Sequence, residues 1–335
     1  MMLVHGLGDY KNGMGDLERM FRRCGYATVN WSYASLTHPI TILAEQLYQV
    51  YRLNAPHYET IHFVTQSMGG IVLRRLLKLH PLPRLGKIVM IGPPNHGASL
   101  VRAVLDRPAM RLFFVVPGVR WVFGPALHEL GDRAYINEIC AIPTSGVMVV
   151  AGTKPFDIRN FNSFLSRGVL PEPHDGTIAL WETRLPVAAM DRFLEVPETH
   201  NLLPSNPLVM AETRRFIAGT SDDLDLSLGE TSPVLRQISL VAKVVLGALS
   251  RDPQLLSGLP SMPNLAVRPV LPDLAMCWND LVSVRGWHLQ QHTLVGVWRV
   301  LDPQGVRQAW GGKDAMLRAF QQVAATVGRD REDGP

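Results

Sequence analysis

Short apolar runs alternate with longer stretches of helical spacing along the first two-thirds of the chain. Met1-Met2-Leu3-Val4 is a strand candidate, and Asp16 to Cys24 then repeats apolar residues at helical spacing before stopping at Gly25. Ala27 to Asn30 predicts a strand, Thr41 to Leu53 a helix, and Ile61-His62-Phe63-Val64 another strand. Ile71 to His80 is helical in pattern, and Lys87-Ile88-Val89-Met90-Ile91 reads as a buried strand. Gly146 to Val150 and Phe193 to Val196 predict two more strands. Asn206 caps a helix from Pro207 to Ala218, with proline at the first helical position, where its missing N–H is not needed. This alternation predicts an α/β fold, a doubly wound and mostly parallel sheet with helices on both faces.

Two regions break the rhythm. Between Leu100 and Leu130 lies an insertion rich in large apolar residues, Leu112 to Val116 and Trp121 to Phe123, with Arg107, Arg111 and Arg120 interspersed. Its pattern fits a core-packing helix pair and a cap or lid equally well. From Gly219 to Glu230 the chain turns polar and acidic, as a linker does. Val234 to Leu249 then predicts an apolar helix, for packing or for lying on a membrane surface. Residues 252–273 are rich in proline and predict an extended wrap. Val297 to Leu301 and Val306 to Trp310 flank Asp302-Pro303-Gln304-Gly305, a hairpin signal, and Lys313 to Val327 reads as a helix. Trp278, Trp287, Trp298 and Trp310 are candidates for the core of this unit. The expected organisation is a main domain over 1–220 with the insertion at about 100–130, a linker with one helix over 221–273, and a small α+β hairpin-helix module over 274–330.

A chain of 335 residues has room for one large domain and a smaller unit. Lys and Arg number 33 against 29 Asp and Glu, so the basic excess is slight. It does not argue for nucleic acid, and basic patches interleaved with aromatics are absent. Cys24, Cys140 and Cys277 are scattered and form neither a metal spacing nor a disulfide framework. His288 and His292 stand four apart without a third ligand, so no zinc site is expected. No phosphate-binding glycine loop and no dinucleotide fingerprint occurs. The sequence therefore predicts no cofactor and no metal. No secretory signal opens the chain, and no run of roughly eighteen apolar residues is present. The expectation is a soluble, cytoplasmic protein, although the abrupt start in a strand fits a shortened gene model.

The chemistry concentrates in Thr65-Gln66-Ser67-Met68-Gly69-Gly70. A serine between a strand and a helix, on a glycine-rich turn, has the layout of a nucleophile elbow. The pattern departs from G-x-S-x-G at Thr65. The plainer reading of Ser67 is a helix N-cap. Four other segments fit the elbow. His5-Gly6-Leu7-Gly8 follows the first strand, where the backbone N–H of Leu7 could serve a developing oxyanion together with that of Met68. Gly92-Pro93-Pro94-Asn95-His96-Gly97 ends a strand in a rigid loop. Asp175 in His174-Asp175-Gly176-Thr177 and His200 in Thr199-His200-Asn201 supply an acid and a base in the order serine, acid, histidine. Asp157 is a rival acid, and His96 a fallback base. Asp175 could also be a turn residue before glycine, and His200 a loop histidine.

These segments together resemble the α/β-hydrolase superfamily of serine esterases and lipases. The likeness is strongest to a small bacterial lipase-like group with a leading His-Gly, a Ser-Met-Gly-Gly elbow, a Gly-Pro-Pro-Asn-His-Gly loop, an Asp-Gly acid segment and a late Thr-His. It covers roughly residues 1 to 218. In that group histidine usually precedes the serine, where this chain has Gln66, a position that can touch substrate. The resemblance implies Ser67 as nucleophile, His200 as base and Asp175 as its orienter, with Leu7, Met68, His5 and Gln66 around the oxyanion and substrate. It implies no cofactor, and a small-molecule ester or lipid as substrate, with interfacial lipid contact possible through the apolar insertion. Thioesterase, amidase and acyltransferase activities use the same residues, and a non-catalytic binding protein is the reading from another class.

Overall fold

The computed structural model describes residues 1–9, 11–106, 124–144, 146–157, 166–219, 278–292 and 297–329. Six strands form its main sheet: β1 (Met2–Val4), β2 (Val29–Trp31), β3 (Ile61–Gln66), β4 (Leu85–Ile91), β5 (Val147–Gly152) and β6 (Arg192–Val196). They lie in the order β2-β1-β3-β4-β5-β6, and every pairing is parallel. Parallel neighbours require crossovers, which here carry helices α1 (Gly15–Arg23), α2 (Ile40–Asn54) and α3 (Met68–Leu79), then α4 (Ser99–Leu105), α5 (Pro125–Gly131) and α6 (Arg133–Ile139). A short helix α7 (Leu180–Thr183) precedes β6, and α8 (Pro207–Ala218) follows it.

The sheet is apolar on both faces because both faces are covered. Alternate residues of each strand enter different cores. Met2, Val4, Phe63, Ile88, Met90, Val147 and Val149 join Leu43, Leu47, Ile71 and Val72 of α2 and α3. Leu3, Val64, Val89, Ile91, Met148 and Val150 join Leu17, Phe21, Val209 and Ile217 of α1 and α8. The predicted cap on α8 is present: Asn206 Oδ1 accepts from the N–H groups of Leu208 and Val209 at 3.0 and 3.4 Å. Chain direction across the sheet reverses between β1 and β3, since β2 lies on one side of β1 and β3 on the other. The crevice at the carboxyl ends of strands at such a switch point is where open α/β sheets bind ligands.

Part of the apolar insertion, residues 107–123, lies outside the described residues. Its flanks, α4 and α5, pack on each other. The acidic linker, the helix expected over Val234 to Leu249, the proline-rich stretch and Cys277 also lie outside them.

The C-terminal unit is a second sheet. The expected hairpin is present as β9 (Trp298–Leu301) and β10 (Arg307–Gly311), closed by Asp302 and Gly305. Two strands that the sequence did not suggest, β7 (Trp278–Val284) and β8 (Trp287–His292), precede it. All four are antiparallel in the order β10-β9-β8-β7. Helix α9 (Lys313–Arg329) covers one face and sets Met316 and Phe320 in the cluster that holds Leu289, Val300 and Ala309. Trp298 and Trp310 are buried, and Trp278 and Trp287 are half-buried. The outer strand β7 lies against β2 and α2. Its edge carbonyls need donors, and side chains supply them: Asn54 Nδ2 donates to Leu281 O at 2.8 Å and the Tyr58 hydroxyl to Ser283 O.

Candidate active site

Ser67 stands at the junction of β3 and α3 with φ 51° and ψ −125°. This is a strained backbone for a residue with a Cβ, costing on the order of 1–3 kcal/mol. The strain is held in place by the packing of the turn against its neighbours. Ser67 N–H donates to Ile91 O at 2.8 Å. A Cβ at Gly69 would come within 2.5 Å of Val4 O and 2.7 Å of His5 O, so the helix start touches the end of β1 with nothing between. Thr65 is fully buried, and its Oγ1 lies 3.3 Å from where a Cβ on Gly70 would be. The paired glycines after the serine thus leave room for threonine at the place where the motif usually has glycine. Ser67 is the N-cap residue of α3, yet its side chain makes no capping bond, so the plain N-cap reading does not describe the hydroxyl. The residue is partly exposed.

Gly6 and Leu7 lie beside the elbow. A Cβ on Gly6 would come within 2.9 Å of Ser67 Cβ and 2.7 Å of Gln66 Oε1. Gly6 N–H donates to Gln66 Oε1 at 2.9 Å, and Gly8 N–H to Ser35 Oγ at 3.0 Å. The intervening Leu7 N–H and the Met68 N–H donate to no described residue. Two unused N–H groups flanking a serine are the arrangement an oxyanion needs. Gln66, the residue before the serine, therefore anchors this loop to the elbow.

His5 is fully buried and stacks on Tyr33 at 4.3 Å between ring centroids. Its Nδ1 lies 2.8 Å from Gly6 O, and its Nε2 lies 3.2 Å from the Tyr33 N–H. These two partners select the neutral tautomer with the proton on Nδ1. The Tyr33 hydroxyl donates to His5 O at 2.6 Å, and burial raises its pKa so that it stays protonated. His5 thus fixes the loop that carries Leu7 through both ring nitrogens.

The acid and base meet in a buried pair. His200 Nδ1 lies 2.6 Å from Asp175 Oδ2, with the side chains 4% and 1% exposed. The other oxygen, Oδ1, accepts from the N–H groups of Thr177 at 2.9 Å and Ile178 at 2.7 Å. His200 N–H donates to Asp175 O at 3.0 Å, so backbone and side chain both bind the two segments. Gly152, at the end of β5, admits Asp175: a Cβ there would come within 2.6 Å of Asp175 Cβ. Gly92, at the end of β4, admits the imidazole: a Cβ there would come within 3.0 Å of both His200 Nδ1 and Cε1. Gly92 directly follows Ile91, the residue whose carbonyl holds Ser67 N–H. The elbow and the His200–Asp175 pair therefore share the carboxyl end of the sheet, with adjacent residues of β4 and its loop between them.

The rival residues are engaged elsewhere. Asp157 pairs with Lys154 Nζ at 2.9 Å. His96 Nδ1 lies 3.2 Å from Asn137 Oδ1 and its ring stacks on Trp181, and burial lowers its pKa. His288 lies 3.3 Å from Asp280, and no group of three or more metal-ligating side chains occurs among the described residues.

Two buried charged residues around the site, Arg74 and Glu182, carried no sequence signal, and both are tied to the Gly92-to-Gly97 loop that the sequence singled out. Arg74 is 3% exposed and donates to Ala141 O, Asn95 O and Asn95 Oδ1, at 2.8, 2.8 and 3.1 Å. Asn95 Nδ2 donates to Thr183 O at 2.7 Å. Glu182 is fully buried, and burial raises its pKa. An arginine within a helix and a glutamate in a short turn look like surface residues until the chain is folded around them.

No protein-family model matches the chain, and neither does any curated protein sequence. Solved structures do resemble it. The Bacillus licheniformis lipase BlEst2 in its propeptide form superposes with a TM-score of 0.50 at 16% identity, over 69% of this chain and 51% of that one. The fold is that of the α/β-hydrolases. The mature form of the same lipase gives a TM-score of 0.47 at 16% identity, over 64% of this chain and 90% of that one. A metagenomic carboxyl esterase, MGS0156, gives 0.46 at 22% identity, over 60% and 64%. Within this hydrolase fold the serine turn, the histidine loop and the acid loop lie at the carboxyl ends of β3, β6 and β5. No helix among the described residues is long and apolar enough to cross a membrane.

Proposed function

We propose that this chain is a serine hydrolase acting on carboxylic esters with an apolar acyl group. The buried His200–Asp175 pair, set behind a strained serine turn, carries this reading. With Nδ1 engaged by Asp175, His200 has Nε2 left to take the Ser67 proton. Ser67 Oγ would attack the ester carbonyl carbon, and the carbonyl electrons would move to an oxyanion held by the N–H groups of Leu7 and Met68. Collapse would expel the alcohol, which takes its proton from His200 Nε2 and leaves an acyl-serine. Water, deprotonated by the same nitrogen, would then release the acid. Every step uses residues of this chain and moves one proton through one imidazole.

The apolar character of the 100–130 insertion supports an apolar acyl group. Transfer of the acyl group to another acceptor, or attack on a thioester or amide, would use the same atoms. The test is hydrolysis of a series of p-nitrophenyl esters by the wild type beside Ser67→Ala. Release of p-nitrophenol that disappears in the variant supports the reading, and its dependence on acyl length measures the pocket. Hydrolysis that persists in Ser67→Ala removes Ser67 as nucleophile. A wild type inert toward every ester would point to the binding-protein alternative or to an acyl acceptor other than water.

A further inference from the structure

Two loops bracket the imidazole of His200. One is the acid loop that presents Asp175. The other is the loop after β4, whose Gly92 lies under the ring. A buried carboxylate joins them, beside the bond from Asn95 Nδ2 to Thr183 O. Glu182 Oε2 accepts from Ala179 N–H at 2.8 Å, within the acid segment. Glu182 Oε1 accepts from Ser99 N–H at 2.6 Å and from the Ser99 hydroxyl, at the start of α4 where the second loop ends. The backbone follows the same path, since His96 N–H donates to Glu182 O at 3.1 Å.

Ala179 has a defined place in the acid loop. It bridges to His174 in antiparallel fashion, while Leu180 N–H donates to Pro173 O at 2.9 Å and Asp175 N–H to Ile178 O at 3.1 Å. The tight loop 175–178, which directs two N–H groups at Asp175 Oδ1, therefore closes on the pair that Glu182 holds.

We infer that Glu182 is a positioning residue for the His200–Asp175 pair, clamping the acid loop to the loop beneath the imidazole. It touches neither the serine nor any reacting atom. The inference rests on the serine-hydrolase reading above. The charge of Asp175 adds to the burial that raises the pKa of Glu182. His174 lies on the same loop as Asp175, and Arg74 and Arg133 act on His96 in the facing loop.

The experiment compares the full chain as wild type, Glu182→Gln, Ser99→Ala and Ser67→Ala on p-nitrophenyl butyrate across pH, with circular dichroism to verify folding. A glutamine at 182 keeps one acceptor oxygen and loses the charge. Glu182→Gln is expected to lower kcat by about tenfold to a hundredfold through misplacement of the acid loop, with little change in KM. The loss should fall on kcat and leave KM in place, a split that a general loosening of the substrate site would not produce. Ser99→Ala removes one bond to the carboxylate and should lower kcat by about fivefold. Wild-type kcat in folded Glu182→Gln, beside an inactive Ser67→Ala, overturns the clamp and leaves the hydrolase reading standing. If Glu182→Gln does not fold, wild-type turnover in Ser99→Ala overturns the clamp. Activity that survives in Ser67→Ala brings down the hydrolase reading and this inference with it.

Discussion

Asp175 spends its side-chain oxygens differently. Oδ1 binds two backbone N–H groups of its own loop, and Oδ2 binds the imidazole and no other described residue. The carboxylate is thus held from behind and aimed forward. Asp175→Asn keeps the shape, but it can place an amide N–H against His200 Nδ1 and so select the wrong tautomer. In the proposed reaction this should lower kcat by about 10⁴-fold with the fold intact. Steady-state kinetics beside a thermal melt would check it, and a loss under tenfold would remove Asp175 from the role. Much at this scale was legible in the chain. Ser67, Asp175 and His200 each lie in a short polar or glycine-rich segment after a predicted strand, which marked them as candidates. The choice between Asp175 and Asp157 was not legible from spacing, because either lies after β5. Only the folded structure gives Asp157 its lysine and Asp175 its histidine. Glu182 was invisible for a related reason. Its partners are Ala179 and Ser99, and nothing in the sequence says that residue 99 comes near residue 182.

At the scale of elements, the serine turn depends on close approach of α3 to β1. The first residues of α3 pass over the end of β1 at Gly69, where an added Cβ would meet two backbone oxygens that have no freedom to move. Gly69→Ala should therefore destabilise the fold by about 2–3 kcal/mol, read as a fall in the urea midpoint at unchanged slope. The glycine is helical in backbone, so a substitution that proves neutral would show that α3 can slide off β1 without loss. The six strands of the main sheet and helices α1, α2, α3 and α8 followed from periodicity, whereas α6 and α7 did not. Boundaries moved by a few residues: α3 begins at Met68, three residues before the apolar run starts. The reason is the elbow itself, which forces the helix to start directly at the turn. Strands β7 and β8 escaped notice because Asn279, Asp280, Gln290 and His292 interrupt the apolar pattern, although all four are buried. Their burial is a tertiary fact, with Gln290 Nε2 donating to Asp280 Oδ1 and Arg299 Nε to Gln290 Oε1, both at 2.7 Å.

At the scale of the whole molecule, the second sheet is attached to the open edge of the first. Asn54 is 2% exposed and donates both to Val50 O within α2 and to Leu281 O of β7, each at 2.8 Å. Asn54→Ala leaves a buried strand carbonyl without its donor, and should lower stability by about 1–3 kcal/mol in urea unfolding. No loss would show that the contact with β7 contributes nothing to the fold. Stability should also depend on pH. Burial lowers the pKa of His57, His62, His96, His174 and His292 below the ordinary value of 6.5. The unfolded chain then binds more protons than the folded one in the window below 6.5, so stability is complete above it and is lost as pH falls through the lowered values. Urea midpoints at about pH 7.5 and about pH 5.5 should differ in that direction. A higher midpoint at the acid pH would contradict the burial of these rings.

The order of strands and helices, the turn at Ser67 and the candidate acid and base were all determined locally, because each depends on residues within one turn or one strand of each other. Periodicity assigns a residue to a face, and glycine or proline assigns it to a turn, without reference to the rest of the chain. Which strand lies beside which, which aspartate meets His200, and what the buried charges of Arg74 and Glu182 are for depend on contacts between residues far apart in sequence. Those contacts form only when burial of the two apolar faces of the sheet brings its carboxyl ends together. The site is the place where these long-range contacts converge: the chain carries its chemistry in separate short segments, and the packing of the sheet brings them to one edge.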